Sequence, residues 1–159
     1  MPDVIFHAIT DGRDTLPHGG AKYVEELERW LRSAGRIGTL SGRYYAMDRD
    51  TRWDRVKLAY DAIVHGAGPA SATAGEAITD SYENDLTDEF IKPTVVGGYD
   101  GAREGDTAIF INFRPDRARE LTRALAEPGF DEFVRSGGPL LDLTTMTSYR
   151  EGWPYPVAF

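Results

Sequence analysis

The sequence predicts an α/β fold, a three-layer arrangement in which a largely parallel sheet is flanked by helices. Short apolar, β-rich runs alternate along the chain with segments whose apolar residues recur at helical spacing. Consecutive strands joined through helices pair in parallel, which favours one largely parallel sheet. With 159 residues, of which 41% are hydrophobic, the chain suits a single domain over residues 1–159 with a real core.

The first half of the chain predicts two strands, each followed by a helix. Residues 4–9 form an apolar strand that ends at turn-forming residues, and helical spacing continues over about 19–34 until Gly35. Residues 36–40 form the second strand. A second amphipathic helix starts at Trp53 and closes before the Gly-rich linker 66–69.

The second half of the chain begins with a capping box, Thr73-x-x-Glu76, which predicts a helix over 74–84. Pro93 makes the next strand, 90–96, an edge or irregular one. The strongest strand pattern is 107–113. The remaining predicted elements are a helix from Pro115 to Pro128, a brief helix at 131–135 and a final strand at 140–145.

Composition excludes several classes of function. The formal net charge of −8 argues against a nucleic-acid or anionic-membrane surface, which needs a net basic face. No segment has the apolar length of a membrane span, and the N-terminus lacks the pattern of a secretory signal, so a cytoplasmic location is the default. The absence of cysteine excludes disulfides and thiolate chemistry in this chain.

Residues 41–55 interleave arginines and aspartates with Tyr44, Tyr45 and Trp53, without a secondary-structure period. Guanidiniums held among aromatic rings and carboxylates suit a prearranged anion site. A salt-bridged surface loop that opens a helix explains the same stretch. The stretch alone does not decide between these two interpretations.

The carboxyl ends of parallel strands gather their loops at one edge of a sheet, where ligands bind. The charged motifs follow the predicted strands, so we expect them to surround one crevice that holds a small phosphorylated acid. Asp14 is then available to accept hydrogen bonds from hydroxyls. The alternative is that these arginines pair with nearby carboxylates, which we expect for Arg52 and Arg55. The expected crevice residues are Arg13, Arg43, Arg49, Arg114 and Arg117.

Metal-ion chemistry has little support in the sequence. The three histidines are scattered, and no spacing among them makes a metal site. Asp11 with Asp14, or Asp48 with Asp50, could ligate a divalent ion, but aspartates are frequent in ordinary turns. We expect no metal site in this chain.

Four motifs, in this order, resemble those of the cofactor-independent (2,3-bisphosphoglycerate-independent) phosphoglycerate mutases. They cover nearly the whole chain, but only part of the family's length. The motifs are His7-Ala8-x-x-Asp11-Gly12-Arg13-Asp14, Ser41-Gly42-Arg43-Tyr44-Tyr45-Ala46-Met47-Asp48-Arg49-Asp50, Asp88-Glu89-Phe90-Ile91-Lys92-Pro93-Thr94 and Asn112-Phe113-Arg114-Pro115-Asp116-Arg117-Ala118-Arg119.

The resemblance implies an isomerase of glycolysis and gluconeogenesis that interconverts 3-phosphoglycerate and 2-phosphoglycerate through a phosphoserine. In that family the serine and two divalent metal ions, usually manganese, belong to a domain resembling alkaline phosphatase. A phosphotransferase domain is inserted into it, and this chain resembles most of that inserted domain. The substrate-binding residues that the resemblance implies are Arg13, Asp14, Arg43, Arg49, Arg114 and Arg117.

The resemblance places no catalytic residue and no metal ligand in this chain, because the family's serine and metal ligands belong to the other domain. We therefore expect a piece of a longer enzyme that is inactive alone and whose sheet can lack its first strand. Two alternatives stay open. The chain is a stand-alone binding module for a small phosphorylated acid, or it is an α/β domain whose arginines only make internal pairs.

Overall fold

The computed structural model describes residues 3–32 and 34–159. Its larger sheet has four strands in the order β1-β2-β4-β3, and a separate two-stranded sheet pairs β5 with β6. The strands are β1 (Ile5–Thr10), β2 (Arg36–Gly42), β3 (Ala70–Ser71), β4 (Thr94–Val96), β5 (Thr107–Phe110) and β6 (Asp142–Thr145).

Strand pairing is largely parallel, which confirms the predicted fold class. Strand β1 pairs with β2 in parallel, as do β3 with β4 and β5 with β6, whereas β2 and β4 are antiparallel. The described residues thus form two sheets where the sequence predicts one, and β1 lies at an edge of the larger sheet.

Helices occupy both faces of the larger sheet. They are α1 (Gly20–Leu31), α2 (Arg43–Ala46), α3 (Trp53–His65), α4 (Ala74–Glu83) and α5 (Pro115–Ala126). None of the helices in the described ranges is long and apolar enough to cross a membrane.

The core has a part on each side of the sheet, as the three-layer prediction requires. On one side, α1 and α4 pack on β2 through Val24, Leu40 and Ile78. On the other side, α3 and α5 pack together, with Tyr60 and Leu121 in the same cluster. Val95 and Val96 of β4 belong to clusters on opposite faces, because successive side chains of a strand alternate in direction.

Two predicted elements differ from the structure. Residues 131–135 are not helical: Phe130 and Phe133 pack around Trp53, and the Arg135 guanidinium donates to the Glu127 carbonyl at the end of α5. The strand predicted over 107–113 ends at Phe110, where the chain turns and the Asn112 N–H donates to the Phe110 carbonyl. In both segments, contacts with other residues outweigh the structure that the local sequence pattern predicts.

Other boundaries follow the sequence closely. The capping box at Thr73 and Glu76 is present, and α4 begins directly after it. By contrast, the strand predicted over 90–96 begins only at Thr94, after Pro93, and it lies between β2 and β3 and not at an edge. Residues 88–90 make a 3-10 turn (Asp88–Phe90). Strand β3 and the short helix α2 are elements that the sequence pattern did not predict.

Asp88, in the 3-10 turn, joins the start of α1 to the end of α4. Its carboxylate is 1% exposed and accepts hydrogen bonds from the Gly20 N–H, at 2.7 Å, and from the Tyr82 hydroxyl, at 2.5 Å. It therefore caps the start of α1 from a distant part of the chain. Burial, and then the hydrogen bond to Asp88, raise the pKa of Tyr82 to about 12.

Two glycines let the 3-10 turn approach these loops. A Cβ at Gly12, which has a φ of +66°, would lie 2.5 Å from the Glu89 nitrogen, and one at Gly42 would lie 2.3 Å from the Glu89 carbonyl oxygen. Any side chain at either position would displace the turn. The loops that carry Asp11 and Arg43 thus share one support.

We expect Asp88→Ala to lower the free energy of unfolding by about 2–4 kcal/mol, because it leaves a buried N–H and a buried hydroxyl without an acceptor. Urea unfolding followed by circular dichroism measures this change. The exposed Asp80, on α4, provides the control Asp80→Ala. Equal unfolding midpoints for the two variants would refute the role assigned to Asp88.

Candidate anion-binding site

The structure brings together charged side chains from the loops after β1, β2 and β5. Asp14 follows β1, Arg43 begins α2 directly after β2, and Arg49 follows α2. Arg114 is the N-cap residue of α5 and Arg117 lies in its first turn. These are five of the six side chains that the sequence analysis placed in one crevice.

Arg43 lies at the centre of this group, and its side chain is 3% exposed. Its Nη1 donates to Asp11 Oδ1 at 2.6 Å and to Asp14 Oδ2 at 2.8 Å, while its Nε has no hydrogen-bond partner among the described residues. Burial alone would raise the pKa of Asp11. Hydrogen bonds from the Asp14 N–H, the Arg43 guanidinium and the Arg13 N–H outweigh that effect and lower it.

Asp116, on α5, holds two further arginines. Its carboxylate accepts from Arg114 Nε at 2.9 Å and from Arg49 Nη1 at 2.7 Å. These two hydrogen bonds, first from Arg114 and then from Arg49, hold the pKa of Asp116 far below its usual range. Arg49 and Arg114 are half-exposed, with side-chain exposures of 43% and 45%, so a ligand in solvent can reach them.

The ion pairs connect into one continuous network, because Arg114 Nη1 also lies 3.9 Å from Asp14 Oδ2. Positive and negative groups alternate along it. We call it the ion-pair network; in order it runs Asp11, Arg43, Asp14, Arg114, Asp116, Arg49.

Arg117 is the cation in this group that lacks a carboxylate. It is half-buried, its Nη1 donates to the Met47 carbonyl at 3.0 Å, and its Nε is buried without a partner. No carboxylate of the described residues pairs with it. Burial, followed by repulsion from Arg43, Arg49 and Arg114, lowers its pKa. The site therefore carries positive charge that its own carboxylates do not balance.

Arg13, the sixth side chain, is directed elsewhere. Its guanidinium is 63% exposed and lies 3.5 Å from Glu89 Oε1, while its backbone N–H donates to Asp11. The structure thus places the Arg13 backbone at the site and its guanidinium beside the 3-10 turn.

The stretch 41–55 divides into site residues and supporting residues. Arg55 lies 3.6 Å from Asp48 and stacks over the Tyr44 ring at 3.9 Å, which confirms its expected internal pairing. Arg52 has no ion pair with any carboxylate in the described ranges, so the same expectation was wrong for it. Its backbone N–H instead donates to Asp48.

Two buried carboxyls beside the network were not singled out by the sequence analysis as a pair. Asp48 and Glu120 are 4% and 7% exposed. Burial, together with the neighbouring Asp48 and Asp50, raises the pKa of Glu120 to about 7, against the opposing effect of the Thr51 N–H. The available signal was the spacing Arg117-x-x-Glu120, which puts Glu120 on the same face of α5 as the site arginine.

The acidic residues of this site do not offer a metal centre. In residues 3–32 and 34–159 no group of three or more His, Cys, Asp or Glu side chains is arranged to hold a metal ion. Asp11 and Asp14 are engaged by Arg43, and Asp48 by backbone N–H groups and Arg55. His7 bonds Thr39 at 2.9 Å, and burial lowers its pKa to about 4.

The family model described as "BPG-independent PGAM N-terminus (iPGM_N)" matches residues 1–151. The chain is 53% identical to the 2,3-bisphosphoglycerate-independent phosphoglycerate mutase of Myxococcus xanthus, over 98% of this chain and 32% of the relative. It is 50% identical to the enzyme of the same name from Symbiobacterium thermophilum, over 98% of this chain and 31% of the relative. The chain thus spans about a third of the length of these curated relatives.

A solved structure is similar as well. It is a phosphoglycerate mutase of Leishmania mexicana, from crystals at low cobalt concentration, with a TM-score of 0.85 and 31% identity. The match covers 91% of this chain and 29% of that one.

The Asp116 carboxyl is expected to stay ionised well below the pH at which an ordinary aspartate titrates, because two guanidiniums stabilise its charge. Carbon-13 NMR of the side-chain carboxyls, followed from pH 6 downward, measures this. Replacing both Arg49 and Arg114 by Gln should bring the Asp116 inflection back toward about 3.9, the ordinary value. An Asp116 titration that is the same in both proteins would contradict the ion pairing.

Proposed function

Because the chain belongs to the BPG-independent phosphoglycerate mutase family, we propose that it is the part of such an enzyme that grips phosphoglycerate. In this proposal residues 1–159 form most of the phosphotransferase domain. The companion, phosphatase-like domain of the same polypeptide supplies the serine that carries the phosphoryl group. The complete enzyme would interconvert 3-phosphoglycerate and 2-phosphoglycerate, and the proposal places it in the cytoplasm.

The observation that supports this proposal best is the uncompensated charge of Arg117. A half-buried guanidinium that lacks a carboxylate and has an unpartnered Nε is costly to maintain in a folded protein. Three other guanidiniums raise that cost further. A bound anion would remove it, so the site is prepared for a carboxylate or a phosphate. The substrates are small acids that carry both groups.

The ion-pair network holds the remaining arginines in place before a ligand arrives. Asp116 fixes Arg49 and Arg114, and Asp11 and Asp14 fix Arg43, so their guanidiniums need little reordering on binding. Charge-assisted hydrogen bonds to an anion contribute roughly 1.5–3 kcal/mol each. Several such bonds can hold a small dianion although the chain as a whole has a net charge of −8.

Asp14 has a second part in the proposal. Its side chain is 64% exposed. Because an ionised carboxylate only accepts hydrogen bonds, the hydroxyls are the groups of a glycerate that it can bind. The arginines would hold the acid groups while Asp14 orients the hydroxyls. Retaining the glycerate in this way, while the phosphoryl group is on the companion domain, allows its return to the other hydroxyl.

The proposed role of Arg13 rests on the motif that it shares with the family. Its guanidinium contacts Glu89 in this structure, at a distance of 3.5 Å and largely exposed to solvent. An exposed pair of this kind costs little to break. Arg13 can therefore reorient toward a ligand at low cost.

The proposal assigns divalent metal ions, manganese by preference, to the companion domain. The Leishmania mexicana relative was crystallised with cobalt, which fits a metal-dependent family. The described residues of this chain do not fit such an ion, because their carboxylates are engaged by guanidiniums and backbone N–H groups. The metal would supply Lewis-acid chemistry to the phosphoryl group, and no step in this chain depends on it.

We expect Arg117→Gln to weaken the binding of 3-phosphoglycerate about 10- to 100-fold, the loss of one charge-assisted hydrogen bond. Isothermal titration calorimetry on the 159-residue chain measures the Kd. Arg103, which pairs with Asp100 before the start of β5, is an exposed arginine at the opposite end of that strand. Arg103→Gln is therefore the matched control and should bind as the wild type does. If Arg117→Gln binds as tightly as the wild type, Arg117 does not hold the anion. If none of the three proteins binds, the alternative of an α/β domain whose arginines make only internal contacts is favoured.

We expect the 159-residue chain to show no mutase turnover, with or without manganese, because the proposed nucleophile lies on the companion domain. A coupled assay for 2-phosphoglycerate measures turnover. Binding without turnover agrees both with the proposal and with a stand-alone binding module. Joining the chain to the companion domain of a relative separates these two, since only the proposed function predicts that activity appears.

A further inference from the structure

Helix α5 holds the loop that carries Arg49 at three points. Asp116 binds the Arg49 guanidinium, Arg117 Nη1 donates to the Met47 carbonyl, and Glu120 Oε1 accepts the Thr51 N–H at 2.9 Å. The first contact is part of the ion-pair network, and the second is made by Arg117. The third comes from a buried carboxyl that the proposed substrate contacts do not include.

Three successive backbone N–H groups of this loop are bound by two carboxyls. Asp48 Oδ2 accepts from Asp50 at 2.9 Å and from Arg52 at 3.0 Å, and Glu120 takes the Thr51 N–H between them. Thr51 has a φ of +58°, a left-handed conformation that is unfavourable for a β-branched residue. The loop therefore needs these contacts to keep its shape.

The second oxygen of Glu120, Oε2, is buried and receives no hydrogen bond from a donor in the described residues. Asp48, also buried, binds the N–H groups on either side of Thr51, so the two carboxyls hold adjacent residues of one loop. Two ionised carboxylates buried at one loop would repel each other, and a proton on one of them removes this repulsion. Asp48 already has two N–H donors and Arg55 at 3.6 Å, so the proton belongs on Glu120.

We infer that Glu120, with Asp48, is a positioning residue: the two buried carboxyls bind the successive N–H groups of residues 50–52, so that Arg49 is directed at the anion site. This inference rests on the proposed function for its consequence on binding, but its structural part does not. Glu120 itself contacts no group that we propose to touch the substrate.

Glu120 lines a cleft of about 540 Å³ together with residues of both signs, so its charge responds to several neighbours. Burial and the two aspartates raise its pKa to about 7, and the Thr51 N–H opposes them. The charged groups that line the cleft with Glu120 are Arg49 and Asp50 of the loop, Asp116, Arg119 and Arg123 of α5, and Arg150, while Arg55 of α3 lies 3.6 Å from Asp48.

The sign of the pH effect follows from this raised pKa. Between about 4.5 and about 7 the folded protein keeps a proton on Glu120 that the unfolded chain releases. Stability therefore falls as the pH rises through this range, and the loop loosens near pH 7 when the pair becomes doubly charged.

The variant Glu120→Gln distinguishes a role in positioning the loop from a role of side-chain volume alone. The glutamine keeps an oxygen for the Thr51 N–H and offers an N–H to Asp48, so it imitates the protonated side chain at every pH. Its Tm should exceed that of the wild type at pH 8, and the difference should shrink toward pH 5. Glu120→Ala removes both contacts.

Nitrogen-15 NMR of the Thr51 amide tests whether Glu120 holds a proton while it accepts the Thr51 N–H. In the wild type its chemical shift should move between pH 5.5 and 8.5 with a midpoint near 7, and in Glu120→Gln it should not. An immobile Thr51 resonance in the wild type, or the same movement in both proteins, would overturn the inference.

Titration with 3-phosphoglycerate at pH 6 tests the consequence. Glu120→Ala should bind about tenfold more weakly, Glu120→Gln within twofold of the wild type, and the exposed control Glu104→Ala like the wild type. If Glu120→Ala binds normally, or Glu120→Gln binds as weakly as Ala, Glu120 does not position Arg49. Should the wild type itself not bind, the proposed function fails, and the Thr51 titration still decides the inference.

Discussion

The arrangement of the site depends on the hydrogen bonds of Asp88, whose carboxylate is buried. It caps α1 through Gly20 and receives the Tyr82 hydroxyl, while its backbone carbonyl accepts the Thr10 hydroxyl at 2.7 Å. The end of β1, the start of α1 and the end of α4 therefore meet at one residue. Since Gly12 and Gly42 touch the same turn, the loops that carry Asp11 and Arg43 have a fixed separation. This separation allows Arg43 to donate to Asp11 at 2.6 Å.

The site separates two electrostatic tasks that a single set of arginines cannot perform together. Arg43, Arg49 and Arg114 are paired with carboxylates. This pairing reduces the repulsion among the guanidiniums and fixes their directions. Arg117 has no carboxylate partner among the described residues and keeps the local charge positive. A site built only from paired arginines would have little net attraction for an anion, and one built only from unpaired arginines would destabilise the fold. The combination gives order and attraction in an acidic protein.

Comparison of particular elements shows where local pattern was sufficient. The Thr73 and Glu76 capping box and Pro115 at the first position of α5 mark helix starts through contacts within one turn, and both are where the sequence predicts them. The predicted helix at 131–135 is absent because the Phe130 and Phe133 rings pack against the ring of Trp53, which is distant in sequence. Strand β3 is two residues long and exists through its pairing with β4. Such elements have no periodic signal to find.

The sequence by itself determined the alternation of strands and helices, the parallel pairing of β1 with β2, and the positions of charged residues after strands, because these follow from local periodicity and chain connectivity. Only the tertiary structure decided which arginines are paired. Arg49 and Arg117 are both site candidates in the sequence, yet Asp116 binds Arg49, whereas no carboxylate in residues 3–32 and 34–159 pairs with Arg117. It also decided that Glu120 accepts the Thr51 N–H, across 69 residues. These are distances between side chains on different elements, which depend on how the elements pack and have no counterpart in local sequence.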